Sequence, residues 1–230
     1  MSDFPKSVDE LINVEDPAWP LIQEWLSAGS HRVLPVTQSQ GREELERLQM
    51  TARSGAGALA LNCGGILADH GWLKVFGGGA SDFPSLSNMT GSGLMACAVD
   101  VIGGVFAADW GAIGAGNGEV HYWPFDTGNW EPCGFGHFDF LQWALTLSDQ
   151  VDGFYRQWRW EGWESVVDGL PPDIGIGLSP PPWSREGQDI DNVSRRAIPM
   201  VEICREMQTL HALFGETDPY PIDWRPDQHG

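Results

Sequence analysis

Asp69 and His70 are the two residues in this chain whose types and spacing come closest to a catalytic pairing. They stand in GGILADHGWLKVFGGG, residues 64–79, between two apolar runs and ahead of three consecutive glycines. A carboxylate beside an imidazole is the start of acid–base or nucleophilic chemistry, and clustered glycines can cradle an anion through backbone N–H groups. The details favour something plainer. GGGASDFP lacks G-x-G-x-x-G spacing and has no Lys-Ser/Thr pair, so the phosphate-loop signature is missing. Adjacent residues rarely face one another, so Asp69 is badly placed to orient His70. Asp-His-Gly between two strand-like runs is good turn chemistry, because Asp bonds its own backbone and Gly supplies a positive φ.

Other constellations are weaker. His70, His121 and His137, with Asp69, Asp100, Asp109 and Asp126, would form a metal site only if the fold assembled it, since no H-x-x-x-H or H-E-x-x-H spacing exists. No metal and no cofactor are expected. Cys63, Cys97, Cys133 and Cys204 form no C-x-x-C pair, and each is expected as a small buried hydrophobe. Residues 109–130, DWGAIGAGNGEVHYWPFDTGNW, are more suggestive of binding. Asn117-Gly118 and the turn at Asp126 bring Trp110, Trp123 and Trp130 near loop ends. Together with Asp69 and His70 these residues make up the candidate binding surface, and no catalytic residue is assigned.

The elements that must position these groups follow from hydrophobic pattern and punctuation. Asp16-Pro17 is expected to start a helix carrying Leu21, Ile22 and Trp25. A second helix is expected from Gln40 to Met50 with Ser39 as its cap. RVLPV reads as an edge strand. From Gly57 to Glu131, apolar runs separated by glycines (ALALN, GGILAD, WLKVFG, GLMACAVD, GGVFAAD, GEVHYWPFD) predict a meandering antiparallel sheet. Helices return from Gly136, and a last one begins at Pro199. The expected class is α+β, a single mostly antiparallel sheet flanked by N-terminal and C-terminal helices. The division is a core at 1–168, a Pro/Gly-rich extended connection at 169–198, and a C-terminal helix and tail at 199–230 that pack on the core, the tail docking through Tyr220 and Trp224.

Composition narrows the partners. The 230 residues hold 32 Asp and Glu against 13 Lys and Arg, a net charge of −19, and the lysines are Lys6 and Lys74 alone. Binding a polyanion requires positive charge to displace counterions, so neither nucleic acid nor an anionic membrane surface is expected as a partner. A basic protein is. The start, MSDFPKSVDE, carries no basic-then-apolar leader, and no apolar run approaches a membrane span, so the expected location is the cytoplasm.

Several motifs carry a resemblance. ELINVEDPAWPLIQEWL, GGILADHGWLKVFGGG, VDVIGGVFA, GEVHYWPFDTGNWE, DFLQWAL and RAIPMVEI, in that order, resemble the bacterial family catalogued as domain of unknown function 2625, which implies no activity. The order GG-V-F-A, N-G-E-V-x-Y, an acidic turn and a D-F-L helix also looks like the SUKH superfamily. That likeness implies an α+β fold and, as in many of its members, immunity by neutralising a toxin. The N-terminal region, the Pro-rich segment and the tail depart from that pattern. Three functions remain open: a non-enzymatic protein-binding module, a hydrolase with a fold-assembled His/Asp site, and a structural homo-oligomer subunit.

Overall fold

Most of the glycine-punctuated apolar runs fold into strands, being short and bounded by turn residues. The structure is a computed structural model that describes residues 5–114, 116–215 and 218–225. Two short helices, α1 (Val8–Ile12) and α2 (Trp19–Leu26), precede the edge strand β1 (Arg32–Leu34). Then come α3 (Gln38–Leu48), α4 (Gly55–Asn62) and the strands β2 (Gly65–Ala68), β3 (Leu73–Phe76), β4 (Thr90–Gly91), β5 (Leu94–Asp100), β6 (Val105–Asp109), β7 (Glu119–Trp123) and β8 (Glu131–Gly136). These make one eight-stranded sheet in the order β1-β2-β3-β5-β6-β7-β8, with β4 beside β5 and every pair antiparallel. The expected α+β class is the observed one.

Register assigns the two faces. Val75, Ala98, Phe106 and Tyr122 are paired in one row, while Lys74, Val99, Val105 and Trp123 form the adjacent row on the opposite face. The first face is covered by α5 (His137–Thr146) and α6 (Ser148–Tyr155), whose Phe140, Trp143 and Phe154 pack on Phe106. After α7 (Trp163–Val167), the second face is covered by a hairpin of β9 (Ile174–Ser179) and β10 (Ser194–Pro199), by α8 (Met200–Phe214) and by the tail. Ile176 N–H donates to Val101 O at 2.7 Å, fastening the hairpin to the sheet. With cover on both sides, β2, β3 and β6 are buried at every position.

Four local expectations are corrected. ALALN belongs to α4, not to a strand. Ser54 caps it by accepting from Gly57 N–H at 3.0 Å, and an apolar run buried on all sides shows no period that distinguishes helix from strand. The cap of α3 is Thr37, not Ser39, in a box with Gln40. Asp16 has φ 54° and lies outside α2, which starts at Trp19 behind Ala18. The stretch expected as an extended connection contains β9, paired along its length with β10. Its glycines are there for close approach: a Cβ on Gly175 would come within 2.5 Å of Ile203 Cδ1 and of Val101 O.

Within the described residues the tail packs on the core; residues 216–217 and 226–230 of it lie outside them. Tyr220 packs on Trp123 with centroids 4.9 Å apart, and Trp224, 3% exposed, packs on Phe76 and Phe83. Burying an indole this completely makes the tail part of the core. Trp224→Ala is expected to lower the unfolding free energy by about 3 kcal/mol, read as a lowered urea midpoint with an unchanged transition slope.

Candidate functional site

The β2–β3 turn is built from three consecutive left-handed residues, Asp69 (φ 52°), His70 (φ 56°) and Gly71 (φ 91°). Only the last is a glycine, so the first two are strained and held by their surroundings. His70 N–H donates to Ser30 O at 2.9 Å, and Asp69 N–H donates to His31 Nδ1 at 3.2 Å. That second bond assigns the His31 tautomer: Nε2 carries the proton and faces Leu145 O at 3.0 Å. Burial holds the His31 pKa below its ordinary value, so the ring stays neutral.

The Asp69 carboxylate is occupied by Arg159, which also pairs with Asp152. Arg159 is 6% exposed, and its guanidinium carbon lies 4.9, 5.3 and 3.9 Å from the ring centroids of Trp72, Tyr155 and Trp163. Asp69 therefore anchors a buried cation and does not orient His70. The carboxylate beside His70 is Asp168, at 3.9 Å from Nδ1, too far for a hydrogen bond. Trp163 stands edge-on to the His70 ring at 5.9 Å. Small clefts of about 130 and 240 Å³ flank His70. Among the described residues no hydroxyl or thiol is hydrogen-bonded to it, so a nucleophile–base pair is not assembled there.

Two buried ionisable groups lie behind this turn: Lys74, which sequence reasoning missed, and Asp100, which it named only as a possible metal ligand. Asp100, fully buried, accepts from Tyr122 OH at 2.8 Å, Tyr155 OH at 3.3 Å, Gly104 N–H at 2.9 Å and Ile102 N–H at 3.1 Å. Burial raises its pKa to about 6 against the opposing pull of these donors. Lys74 is buried between the sheet and its C-terminal cover, and burial, aided by the Arg32 charge, lowers its pKa to about 7 while Asp173 opposes. The signal for both was a lone charge inside an apolar run, WLKVF and CAVDVI, which in a sheet covered on both faces has nowhere to point but inward.

The other expected binding residues do not form one surface with this turn. Leu73 pairs with Asp100 and Leu94 with Asp109, so the Asp69 turn and Trp110 lie at opposite ends of the sheet. Trp110 is 45% exposed. Beside it, Asp109 folds the following loop around its carboxylate, which accepts from the N–H groups of Gly111, Ala112, Ile113, Gly114 and Gly116. Asn117 braces the same hairpin by accepting from Glu119 N–H at 3.0 Å. Trp123 is fully buried and donates to Asp218 O; Trp130 is half-buried, its N–H donating to Asp218 Oδ2. Asp126 is half-buried, and burial raises its pKa. Among the described residues no group of three or more His, Cys, Asp or Glu could hold a metal, and no helix is long and apolar enough to cross a membrane.

Of the further cavities away from the turn, two lie at the margins of the sheet. The larger, about 660 Å³, runs between the β4–β5 hairpin and the tail. Its carboxylates Asp218 and Asp223 are engaged by Trp130 N–H and by Arg225. The other, about 230 Å³, opens at β8, which is the free edge of the sheet. Phe106, Tyr122, Phe135, Trp143 and Phe154 line it with Glu131. Phe106, Tyr122 and Trp143 are buried, whereas Phe154 is 42% exposed and Glu131 lies in solvent.

Comparison with known proteins places this architecture. A family described as a protein of unknown function, DUF2625, matches residues 8–203. The chain belongs to the DUF2625 family. It is 34% identical over 212 residues to the putative uncharacterized protein YbfG of Escherichia coli K12, covering 88% of this chain and 95% of that one. It is 30% identical over 178 residues to an uncharacterized protein of Haemophilus influenzae, covering 72% and 77%. No solved structure matches the chain. The DUF2625 match contains the Asp69 turn, Arg159, Lys74 and the β8 cavity, while Tyr220 and Trp224 fall beyond it.

Two outcomes follow for this DUF2625 chain. Arg159→Ala leaves Asp69 without its partner inside an aromatic stack, and a loss of about 3–5 kcal/mol is expected; Arg159→Met, which keeps the packing, should lose less, both by urea unfolding. For Lys74, the folded pKa of about 7 lies below the ordinary 10.5. Between these values the unfolded chain binds the proton and the folded chain does not, so stability rises with pH through that window. Lys74→Met should stabilise the protein at neutral pH and flatten that slope, measured by urea midpoints at about pH 7 and about pH 10.

Proposed function

We propose that this protein is a non-enzymatic protein-binding module that takes a basic protein partner through its acidic surface. The observation that carries this reading is the combination of a net charge of −19 with an aromatic cavity open at the free edge strand β8. Charge of one sign steers an oppositely charged partner, and exposed aromatic side chains supply the contact energy once it arrives. Neutralising a basic toxin is one form of such binding, and the SUKH resemblance is what suggests it. A hydrolase at Asp69 and His70 is less well supported, because the Asp69 carboxylate is held by Arg159.

The test is capture from native bacterial lysate on the immobilised protein, with the bound fraction identified by mass spectrometry. Basic proteins should be enriched at roughly 50 mM salt and released near roughly 500 mM, where screening shortens the reach of the field. No enriched protein, or enrichment indifferent to salt, sinks the binding reading. Substrate screening of wild type against His70→Ala decides the hydrolase alternative, and solution mass decides whether the chain self-associates.

A further inference from the structure

The β8 cavity has the chemistry of a cation cage. Phe106 is the centre of its ring cluster, with centroids 4.6 Å from Tyr122, 5.6 Å from Trp143 and 5.7 Å from Phe154. Phe154 meets Tyr122 and Trp143 edge-on, at 77° and 78°. Phe135 adds a fifth ring, 6.2 Å from Trp143. These five rings, inclined at different angles to one another, wall one small volume with an acidic residue at its rim. That suits a compact ammonium group better than a planar guanidinium, which prefers a single parallel face.

The rim carries the matching charge. Glu131 pairs with Tyr122 across the β7–β8 ladder, so both project on the same face of the sheet. Glu119 and Glu131 both act on the Cys133 thiol beside them, and Asp126 acts on Tyr122. Among the described residues the cation–ring contacts are those of Arg159 with Trp72, Tyr155 and Trp163, and of Arg195 with Trp160. None of these reaches the cavity, so its rings have no internal cation.

We infer that this cavity receives a lysine side chain presented by the basic protein partner, its ammonium held against the rings and paired with Glu131. This rests on the binding-module reading and deepens it by naming the chemical group that is recognised. The lysine stem would cover the half-exposed Phe154 while the ammonium meets the rings beside Glu131 at the rim.

The test is calorimetric titration of the full chain with a short lysine-rich peptide. Three further peptides serve as comparison, the same sequence carrying norleucine, arginine or glutamate at the lysine positions. The lysine peptide should bind best, and norleucine, which keeps the stem and drops the charge, should bind at least several-fold more weakly. Phe154→Ala should weaken the lysine peptide by roughly 3- to 30-fold and Phe154→Trp should tighten it, since indole is the better ring for a cation. Glu131→Gln should weaken it by a few-fold and reduce its dependence on salt. Phe154 is 42% exposed and Glu131 lies in solvent at the rim, so these variants should fold, and a cooperative urea transition confirms it. Equal binding of the norleucine peptide, tighter binding of the arginine peptide, or indifference to Phe154→Ala overturns the cage. If lysate partners are still captured in a salt-dependent way by Phe154→Ala, the cage fails while the binding module stands. If neither peptides nor lysate proteins bind, both fail.

Discussion

A buried guanidinium organises this molecule. Arg159 follows α6, yet its charge is answered by Asp69 in the β2–β3 turn and by Asp152 in α6, and its faces are covered by Trp72, Tyr155 and Trp163. A cation taken out of water is tolerated only when paired and packed. Meeting that demand joins the turn, the start of β3, α6 and α7 in one contact. The same ion pair helps hold the left-handed backbone at Asp69 and His70. Tyr155 continues the connection inward, from the Arg159 stack to the buried Asp100 and so to Tyr122 on β7.

Seen from that centre, the most site-like stretch of the chain has a structural purpose. Its carboxylate closes an ion pair, its histidine stands half-exposed against Trp163, and its neighbour His31 is held neutral by a backbone donor and a backbone acceptor. The free edge of the sheet is built differently. There the cover given by α5 and α6 runs out beside β8 and leaves a cavity walled by aromatic rings. Phe106 and Tyr122 reach it because the two-residue period of a strand puts them on the same face as the helices. Glu131, across the ladder from Tyr122, stands at the cavity's rim.

Burial on both faces governs the rest. A sheet with helices on one side and a hairpin, helix and tail on the other leaves its central strands no polar side, so every charged residue within them must be satisfied or neutralised in place. Asp100 is satisfied by two tyrosines and two backbone donors. Lys74 is instead driven toward its neutral form. The two groups pull pH dependence in different windows, because burial disfavours charge whichever sign it carries.

The local record in the chain determined a good deal. Glycine and turn chemistry marked the ends of β2, β3, β5, β6 and β7, and Asp-His-Gly was legible as the turn between β2 and β3, since φ preferences are a property of single residues. Helical period exposed α2, α5, α6 and α8. Composition alone set the sign of the net charge. What the sequence could not show was which face each strand gives to which layer, because that depends on elements far away in the chain. ALALN became a helix since burial on all sides erases its period, and the Pro/Gly-rich segment became β9 since its glycines allow contact with Ile203 and Val101. Trp123 and Trp110, alike in sequence as aromatics near turns, were separated into core and surface because Trp123 lies within β7 on a covered face and Trp110 lies just past the end of β6. The β8 cavity was invisible for the same reason: its five rings come from β6, β7, β8, α5 and α6, and only the folded chain brings them around one volume.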